Sequence, residues 1–404
     1  MPMATKHEQV EEMQGLYGPF TIAERVVQKI WLRRDFEQAG LRLLDGRNLL
    51  IRAPGSWNLL GGPDFHEARM VLDGVAITGD VEVHFHSADW HAHGHAEDRA
   101  YDNVVLHVVL FPPGPEERRA MHRDGREIPV LVLLPCLHRG LEEYASDEAL
   151  EKMTERDAAE KISELAAMAR ADLEVMLRQQ AMRRWQMKVR YATLRLAKLG
   201  WTEAAHHAAL EVLGYKRNRA PMLATATVYP LPEWIEGLDP ESLVAERRGE
   251  WQMQGIRPAN HPLGRLRQYQ AWVQARPGWP EELRRVAAIA RPADPEAVTT
   301  PRMRKQLSIP RLREQWLEEI TATTLGGSRF DTLVCDGFLP LVASETQSDL
   351  SPVWFHWFLG DVPEGLRKAL VMLGVAGAPQ APFCHGWAQG FLGWLTEREA
   401  RASR

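Results

Sequence analysis

With 404 residues, of which 45% are hydrophobic and 25% charged, the chain has the composition of a globular protein, which excludes disordered, fibrous and membrane-embedded classes. A formal net charge of −5 does not by itself indicate a partner. No run of about 18 apolar residues is present, and residues 1–14 are polar rather than signal-like, so we expect a cytoplasmic protein without a membrane association. The three cysteines are scattered, which excludes a disulfide framework and a CxxC metal site.

Two halves of the chain differ in chemistry. Ten of the 15 histidines precede residue 150, and no lysine occurs between Lys29 and Lys152. Near residues 140–155 the hydrophobic pattern also changes, from short alternating β-branched segments to helical segments rich in Ala, Leu, Arg and Glu. We therefore predict two domains, 1–150 and 151–404, as the length of the chain also suggests.

The first half contains helix and strand signals in alternation. Thr21-Ile-Ala-Glu24 has the pattern of a capping box and predicts the start of a helix. The polar segment 87–103 could hold a short helix, and the second half predicts one long helix over 154–199. Strands are predicted at residues 48–53, 65–72, 77–86, 104–111 and 128–134. The expected fold is α+β, with a mixed sheet followed by an irregular all-helical domain.

The predicted strand 77–86 carries acidic and imidazole side chains on one face. Because successive side chains alternate, Asp80, Glu82, His84 and His86 share one side and the intervening apolar residues share the other. Crowded acids and imidazoles repel or desolvate one another, an arrangement usually tolerated because a cation or substrate uses it. The alternative is an ordinary exposed antiparallel strand, polar outside and apolar inside.

A turn before the preceding strand supplies a further carboxylate. Gly61-Gly62-Pro63-Asp64 predicts a tight turn that places Asp64 at the start of the strand 65–72, where it could face Glu82. Two carboxylates together with the carbonyl of Val83 would offer the oxygen ligands that Mg²⁺ or Mn²⁺ prefers. Such an ion polarises a phosphodiester and activates water.

The order α-β-β-β-α-β, with Asp64 opening one strand and Glu82-Val83-His84 on the next, resembles the core of the PD-(D/E)XK nucleases over about residues 20–135. This resemblance implies metal-dependent hydrolysis of phosphodiester bonds in DNA or RNA, with Asp64 and Glu82 as catalytic metal ligands. Glu24 or Gln28 on the first helix would add a further polar group.

His84 departs from that resemblance, because it stands where the nucleases carry a catalytic lysine and the lysine-free stretch offers no close substitute. We expect His84 to act as base or electrostatic partner, since histidine titrates near neutral pH. A catalytically inactive protein that retains the fold and binds nucleic acid is the alternative.

Polar residues around the acidic strand and one motif in the second half are assigned to substrate or nucleic-acid contact. The motif Arg257-Pro-Ala-Asn260-His-Pro lies at the start of a predicted helix, where backbone amides favour anions, although Asn260 could equally cap the helix. A basic run within 183–198 and at 216–219 could follow a phosphate backbone or form a solvated face. The assigned residues are Asp80, Asp89, His93, His95, Asn103 and Arg257.

The histidines offer a different metal site. His84-Phe-His86 could bind zinc, manganese or iron through imidazole nitrogens, as in a cupin-like β-barrel, with further ligands from His91, His93, His95 and His107. His107 lies in an apolar strand, where it is either a core histidine or a residue that orients a ligand from behind.

The chain is also similar over its length to an uncharacterised bacterial family, a domain of unknown function (DUF 2851). This similarity implies no activity. The residues that carry it are Gly61-Gly-Pro-Asp64-Phe65, Gly79-Asp80-Val-Glu82-Val-His84, Asp89-Trp90, His93-Gly-His95, Tyr101-Asp-Asn103-Val-Val-Leu-His107-Val-Val and Arg257-Pro-Ala-Asn260-His-Pro.

Overall fold

Two compact units make up the chain in a computed structural model, one comprising the described residues up to Ala145 together with those from Glu397, the other Ser146–Thr396. Each unit has its own hydrophobic core. The structure describes residues 10–15, 18–59, 61–114, 117–138, 140–152, 162–215, 218–253, 256, 258–287 and 299–402.

A mixed β-sheet forms the centre of the first unit. Strands β3, β5 and β6 are antiparallel, while β7 and β8 continue the sheet in parallel with β6, in the order β3-β5-β6-β7-β8 with β4 also paired to β5. β1 and β2 form a separate hairpin. The strands are β1 Val10–Gly15, β2 Gly18–Ala23, β3 Leu49–Ala53, β4 Ser56–Trp57, β5 Phe65–Leu72, β6 Val75–His84, β7 Val104–Val109 and β8 Val130–Val132. The predicted α+β class and the five predicted strand positions are confirmed.

The first helix, α1 (Glu24–Arg33), begins later than the sequence predicts. Thr21 is paired with Glu12 within the β1–β2 hairpin, so the chain stays extended through Ala23, the residue that precedes the helix. The capping-box prediction was therefore wrong, because Glu24 opens the helix instead of occupying its third position. The buried apolar residues of α1 are Val26, Val27, Ile30 and Trp31.

Alternation along β6 separates a core face from a polar face. Val81, Val83 and Phe85 belong to the same hydrophobic core as α1, as predicted. Between β6 and β7 the chain forms α2 (Asp89–Ala92) and two turns of 3₁₀-helix, His95–Glu97 and Arg99–Tyr101. This connection carries the chain to the start of β7, which a parallel pairing requires.

The second unit consists of helices. One segment, Leu333–Phe338, has π-helical geometry. The helices are α3 Leu141–Lys152, α4 Arg170–Leu213, α5 Arg219–Val228, α6 Leu231–Glu236, α7 Pro240–Glu246, α8 Pro262–Ala275, α9 Trp279–Ala287, α10 Thr300–Gln306, α11 Ile309–Glu319, α12 Gly327–Thr332, α13 Leu339–Thr346, α14 Ser351–His356, α15 Glu364–Met372 and α16 His385–Ala402. None of the helices among the described residues is both long and apolar enough to cross a bilayer.

The predicted long helix over 154–199 is not continuous, although a break near its predicted end is present. Residues 153–161 lie outside the described residues, and 167–169 are not helical. The helix α4 begins at Arg170 and extends to Leu213, with a kink at Gly200, where φ is 73° and the helical geometry is interrupted. Glycine permits this φ, and the break separates two helical stretches at the position where the sequence predicts a helix end.

Candidate metal centre

Three imidazole rings meet where β6 ends and the connection to β7 begins. His84 is the last residue of β6, His93 follows α2, and His95 opens the next 3₁₀ turn. One ligand nitrogen from each of the three lies within 4.8 Å of the others. His84 and His95 are buried whereas His93 is exposed, so the group has a solvent-facing side.

Glu82 contributes an oxygen to the same place. Its Oε1 lies 3.4 Å from His84 Nε2 and 3.4 Å from His95 Nε2. His84 Nε2 in turn lies 3.1 Å from His93 Nδ1. The strand thus presents Glu82 and His84 on one face, and the connection folds back so that both of its histidines reach them.

Gly94 allows the two neighbouring histidines to turn toward the same point. Its φ of 74° and ψ of 15° are left-handed, and no heavy atom lies within 4 Å of the position that a Cβ would occupy. The glycine is therefore needed for its backbone conformation and not for space. A residue in the left-handed region reverses the chain direction, which is how side chains flanking it can converge.

His107 on β7 orients the ring of His84 through a hydrogen bond. His84 Nδ1 and His107 Nε2 share a hydrogen bond of 2.9 Å, and the ring of His107 is fully buried. Burial lowers the pKa of His107 to about 3, with smaller contributions from the charges of His95 and His91. The Nε2 atom of a neutral His107 can accept a hydrogen bond from the Nδ1–H of His84, which leaves His84 Nε2 directed at the cluster as an electron-pair donor.

Aromatic rings enclose the buried side. The Tyr101 ring stacks on His95 with 3.9 Å between centroids, and the Trp90 ring lies 5.4 Å from His95. Trp90 Nε1 donates to the carbonyl of Met121 at 3.0 Å, which fixes the indole. Burial raises the pKa of Tyr101, and the charges of Glu82 and Asp64 raise it further, so its hydroxyl remains protonated at neutral pH.

Asp64 and Glu82 come together as the sequence pattern suggests. The backbone N–H of Asp64 donates to Glu82 Oε2 at 2.8 Å, and the N–H of Val83 donates to Asp64 Oδ2 at 3.1 Å. Gln28 Nε2 donates to Asp64 Oδ1 at 3.0 Å and lies 3.5 Å from Glu24 Oε1. The first helix therefore adds both of its predicted polar residues to the buried acidic group.

The turn that positions Asp64 depends on Asn58, a residue to which sequence reasoning assigned no role. Its Nδ2 donates to the carbonyls of Gly61 and Pro63 at 3.1 and 2.8 Å, and its backbone N–H donates to the carbonyl of Asp64 at 2.7 Å. Gly62 has a φ of 95°, which glycine adopts without strain. An asparagine shortly before a Gly-Gly-Pro turn is a sequence signal from which this stabilisation of the turn could have been predicted.

Asp80 makes its contacts away from the histidine cluster. Its Oδ1 accepts from the backbone N–H of Glu67 at 3.1 Å and lies 3.2 Å from His66 Nδ1. The register of β5 and β6 shifts between Phe65 and Ala68, and Glu67 has a φ of 58° there. This bulge turns the backbone of β5 toward Asp80.

Other predicted contact residues have local roles. Asp89 Oδ2 accepts from the N–H of His86 at 2.9 Å and so closes the turn before α2. The carbonyl of Asn103 accepts from the N–H of Asp80 at 2.9 Å, while the Asn103 side chain is exposed. His86 stacks on Phe111 with 5.0 Å between centroids. Arg257 lies outside the described residues.

Much of the basic run on α4 is engaged within the protein. Arg184 is buried and donates to Gln389 Oε1 at 2.7 Å and to Ser146 Oγ at 2.6 Å. Lys188 pairs with Asp336 at 3.1 Å, and Arg195 pairs with Glu211 at 2.5 Å. Lys216 and Arg217 lie outside the described residues.

Comparison with known proteins identifies a family. A family model described as "Protein of unknown function (DUF2851)" matches residues 24–236, which is more than half of the chain and includes every element of the histidine cluster. No curated protein and no solved structure matches the chain.

Proposed function

Because the chain belongs to the DUF2851 family, whose description names no activity, we propose its function from the site itself. We infer a metal-dependent hydrolase that holds one divalent transition-metal ion through Glu82, His84, His93 and His95. The observation that carries the proposal is the convergence of three imidazole nitrogens, all within 4.8 Å of one another, on a carboxylate oxygen 3.4 Å from two of them.

The donor set favours some ions over others. Imidazole nitrogen suits zinc, manganese and iron, whereas Mg²⁺ prefers an octahedral shell of oxygens. Three nitrogens and one carboxylate oxygen therefore fit Mn²⁺, one of the two ions that the sequence predicts, better than Mg²⁺, and they fit Zn²⁺ and Fe²⁺ as well. Catalytic sites of this kind keep a position open for water or substrate, and the exposed ring of His93 lies on the accessible side.

Asp64 has a supporting role in this proposal. Both of its carboxylate oxygens accept hydrogen bonds from protein N–H groups, one from Gln28 and one from the backbone of Val83. Its own backbone N–H holds Glu82 Oε2, so that Oε1 faces the histidines. Asp64 thus positions Glu82. The sequence predicts Asp64 as a direct ligand of the ion, whereas we propose that it acts through Glu82.

Two buried residues would orient the ligands of a bound ion. A bound metal ion would supply Lewis-acid polarisation of a phosphoryl oxygen and lower the pKa of water. Tyr101, protonated and stacked on His95, would hold the plane of that ring. Neutral His107 keeps His84 in the orientation required to bind the ion.

The order of elements supports a phosphodiester as substrate. Helix α1 is followed by the antiparallel strands β3, β5 and β6, then by the connection with α2 and the parallel strand β7. Apart from the short β4, this succession follows the α-β-β-β-α-β pattern on which the PD-(D/E)XK resemblance is based, and in that resemblance the acids of the second and third strands form the working site. We therefore propose nucleic acid as the substrate, cut by a site in which histidines supplement the acids.

Metal analysis of the purified full chain, without an affinity tag, tests the metal centre. We expect about one tightly bound Zn²⁺, Mn²⁺ or Fe²⁺ per chain. The H93A variant should lose it and still fold, because His93 is exposed. The matched control is H91Q, which lies on α2 in the same connection but outside the cluster and should retain the metal. Equal metal content in H93A and the unaltered protein would contradict the proposed ligands.

Activity is measured on the same preparations with single- and double-stranded DNA and RNA in the presence of Mn²⁺, Zn²⁺ or Mg²⁺. We expect hydrolysis by the unaltered protein and by H91Q, and its loss in H93A and E82Q. Intact substrates in all cases, with the metal bound, would overturn the hydrolase proposal while leaving the metal centre in place. Binding of the polymers without cleavage would favour the inactive nucleic-acid-binding protein.

A further inference from the structure

Three arginines gather in the helical unit, far along the chain from the histidines. Arg219 opens α5, Arg265 lies in the first turn of α8, and Arg329 lies in α12. Arg265 and Arg329 are almost fully buried, with 9% and 5% of their surface exposed. Arginine is rarely buried to this extent without a partner for its charge.

Asn260 joins two of these arginines. Its Oδ1 accepts from Arg265 at 3.0 Å and lies 3.5 Å from an Nη2 donor of Arg329. Arg265 also donates to Gln268 Oε1 at 2.8 Å, and Arg329 to the carbonyl of Val212 at 3.2 Å. The two guanidinium groups therefore converge on one amide oxygen, at the motif whose position at a helix start suggested anion binding.

Positive charge exceeds negative charge in this arginine cluster, Arg219, Arg265 and Arg329. The acid that pairs with it is Asp361, whose Oδ2 lies 2.7 Å from Arg329 Nη2. Burial lowers the pKa of Arg329 to about 10; the charge of Asp361 opposes the shift, and the charges of Arg265 and Arg219 add to it. Three guanidinium groups against one carboxylate leave two positive charges without a counter-charge among the described residues that contact them.

Buried donors without an acceptor are a further feature of the arginine cluster. The Nε atoms of all three arginines are buried and have no hydrogen-bond partner among the described residues. A buried donor without an acceptor costs about 1–3 kcal/mol, and more when it is charged. Native proteins leave few such groups, so several in one cluster indicate an acceptor that the described residues do not provide.

We propose that the arginine cluster binds the phosphate group of a phosphomonoester. A phosphomonoester carries close to two negative charges at neutral pH, which matches the excess charge, and its oxygens match the fork of donors on a guanidinium group. The ring of Tyr215 lies against Arg329, 4.4 Å from its Cζ, and fixes the plane of that fork. Arg219, Asn260 and Asp361 are half-buried, so the cluster has a side that contacts solvent. This site is independent of the metal centre.

Titration calorimetry of the full chain with inorganic phosphate, at constant ionic strength set with chloride, tests the proposal. We expect phosphate to bind and chloride not to. R265Q should weaken phosphate binding about tenfold or more, the effect of removing one charge-assisted hydrogen bond. N260D, which places a carboxylate between two of the arginines, should also weaken it.

Asp361 provides the control that separates binding from folding. D361N removes the competing negative charge, so it should tighten phosphate binding while it lowers the melting temperature through loss of the ion pair with Arg329. A merely structural cluster would respond differently: D361N and N260D would then leave the heats of phosphate addition equal to those of chloride. That result, or binding unchanged in R265Q, overturns the site.

Two probes identify the source of the phosphate. A nucleoside 5′-monophosphate is compared with the nucleoside, and a 5′-phosphorylated oligonucleotide with the same oligonucleotide carrying a 5′-hydroxyl. Preference for the phosphorylated form of either supports the site and identifies a small metabolite or a nucleic-acid end as its ligand. Equal binding of the phosphorylated and unphosphorylated forms in both comparisons overturns it.

Discussion

The backbone N–H of Asp64 holds the side chain of Glu82, donating to Oε2 at 2.8 Å, while the backbone of the residue after Glu82 donates to the carboxylate of Asp64. Each acid is therefore fixed by the main chain of the strand that carries the other. This reciprocal arrangement sets the orientation of Glu82 Oε1 toward the histidines before any cation binds.

Replacing Asp64 and Glu82 in turn should distinguish the positioning role of Asp64 from the ligand role of Glu82. In D64N the amide nitrogen cannot accept a hydrogen bond, so a buried donor of Gln28 or Val83 loses its acceptor, and we expect the free energy of unfolding to fall by about 1–3 kcal/mol. E82Q removes a proposed ligand and should lower metal affinity by more than about tenfold. Urea unfolding and metal titration measure the two effects. Metal loss in D64N as large as in E82Q would instead indicate two carboxylate ligands.

Substituting lysine for His84 tests the departure from the nuclease motif. A lysine at this buried position offers no lone pair to a metal when protonated, and burying its charge is unfavourable. We expect H84K to lose the bound metal and to be less stable than the unaltered protein. Metal analysis and thermal unfolding check this. An H84K protein with increased Mg²⁺-dependent cleavage would show that this position serves the role of the motif lysine.

His107 should influence the metal only through His84. H107F removes the hydrogen bond to His84 Nδ1 and retains a ring of similar size, so metal affinity should fall about 10- to 100-fold. H107Q retains an acceptor and should recover part of that loss. Competition with a chelator measures both affinities. Identical affinities in H107F and the unaltered protein would mean that His84 is oriented by other contacts.

Gly79 permits a close approach between β6 and the start of β7. An added Cβ would lie 2.4 Å from Val105 Cγ1 and 2.8 Å from the carbonyl of Asn103. We expect G79A to reduce the free energy of unfolding by roughly 1–3 kcal/mol, and V105A to relieve only part of this because the carbonyl remains. G61A is the control, since no heavy atom lies within 4 Å of its Cβ position. Equal stability of G79A and G61A in urea would contradict the close approach.

Acid should destabilise the helical unit through buried histidines. Burial lowers the pKa of His206 to about 3 and that of His356 to about 3, from an ordinary value of 6.5. Both are neutral in the folded protein and take up a proton on unfolding below pH 6.5, so the free energy of unfolding falls by about 1.4 kcal/mol per pH unit for each, down to the folded pKa. Above pH 6.5 this dependence disappears.

Urea unfolding between about pH 5 and pH 7 measures the acid effect, and H206Q should reduce the slope by the contribution of one group. The substitution retains a side chain that can bond to Tyr269 and to the carbonyl of Tyr229, the two partners of His206. An unchanged slope in H206Q would mean that His206 is protonated in the folded state.

The pairing of Asp64 with Glu82 could be predicted from the sequence because it depends on neighbouring strands. β5 and β6 follow each other directly and pair antiparallel, with Phe65 opposite Val81, so the residue before Phe65 comes beside the residue after Val81. Local alternation and a Gly-Gly-Pro turn contain that information. The apolar face of β6 follows for the same reason.

The choice of three histidines from ten could not be made in this way. His93 and His95 reach His84 because Gly94 between them is left-handed. A His-Gly-His sequence alone does not determine that conformation. Asp80 was placed with Glu82 by simple alternation, but the bulge at Glu67 gives its carboxylate other partners. Such irregularities depend on tertiary packing, which periodicity does not describe.

All four proposed ligands lie within residues 82–95, two on a strand and two on the connection that follows it. A cation held between them closes a short chain loop, and the entropy of loop closure grows only with the logarithm of loop length, by about 0.6 kcal/mol for each doubling. Lengthening the connection between His84 and His93 would therefore cost little affinity. The ion would act as a cross-link, tying the connection to the sheet as a disulfide ties two segments of a chain.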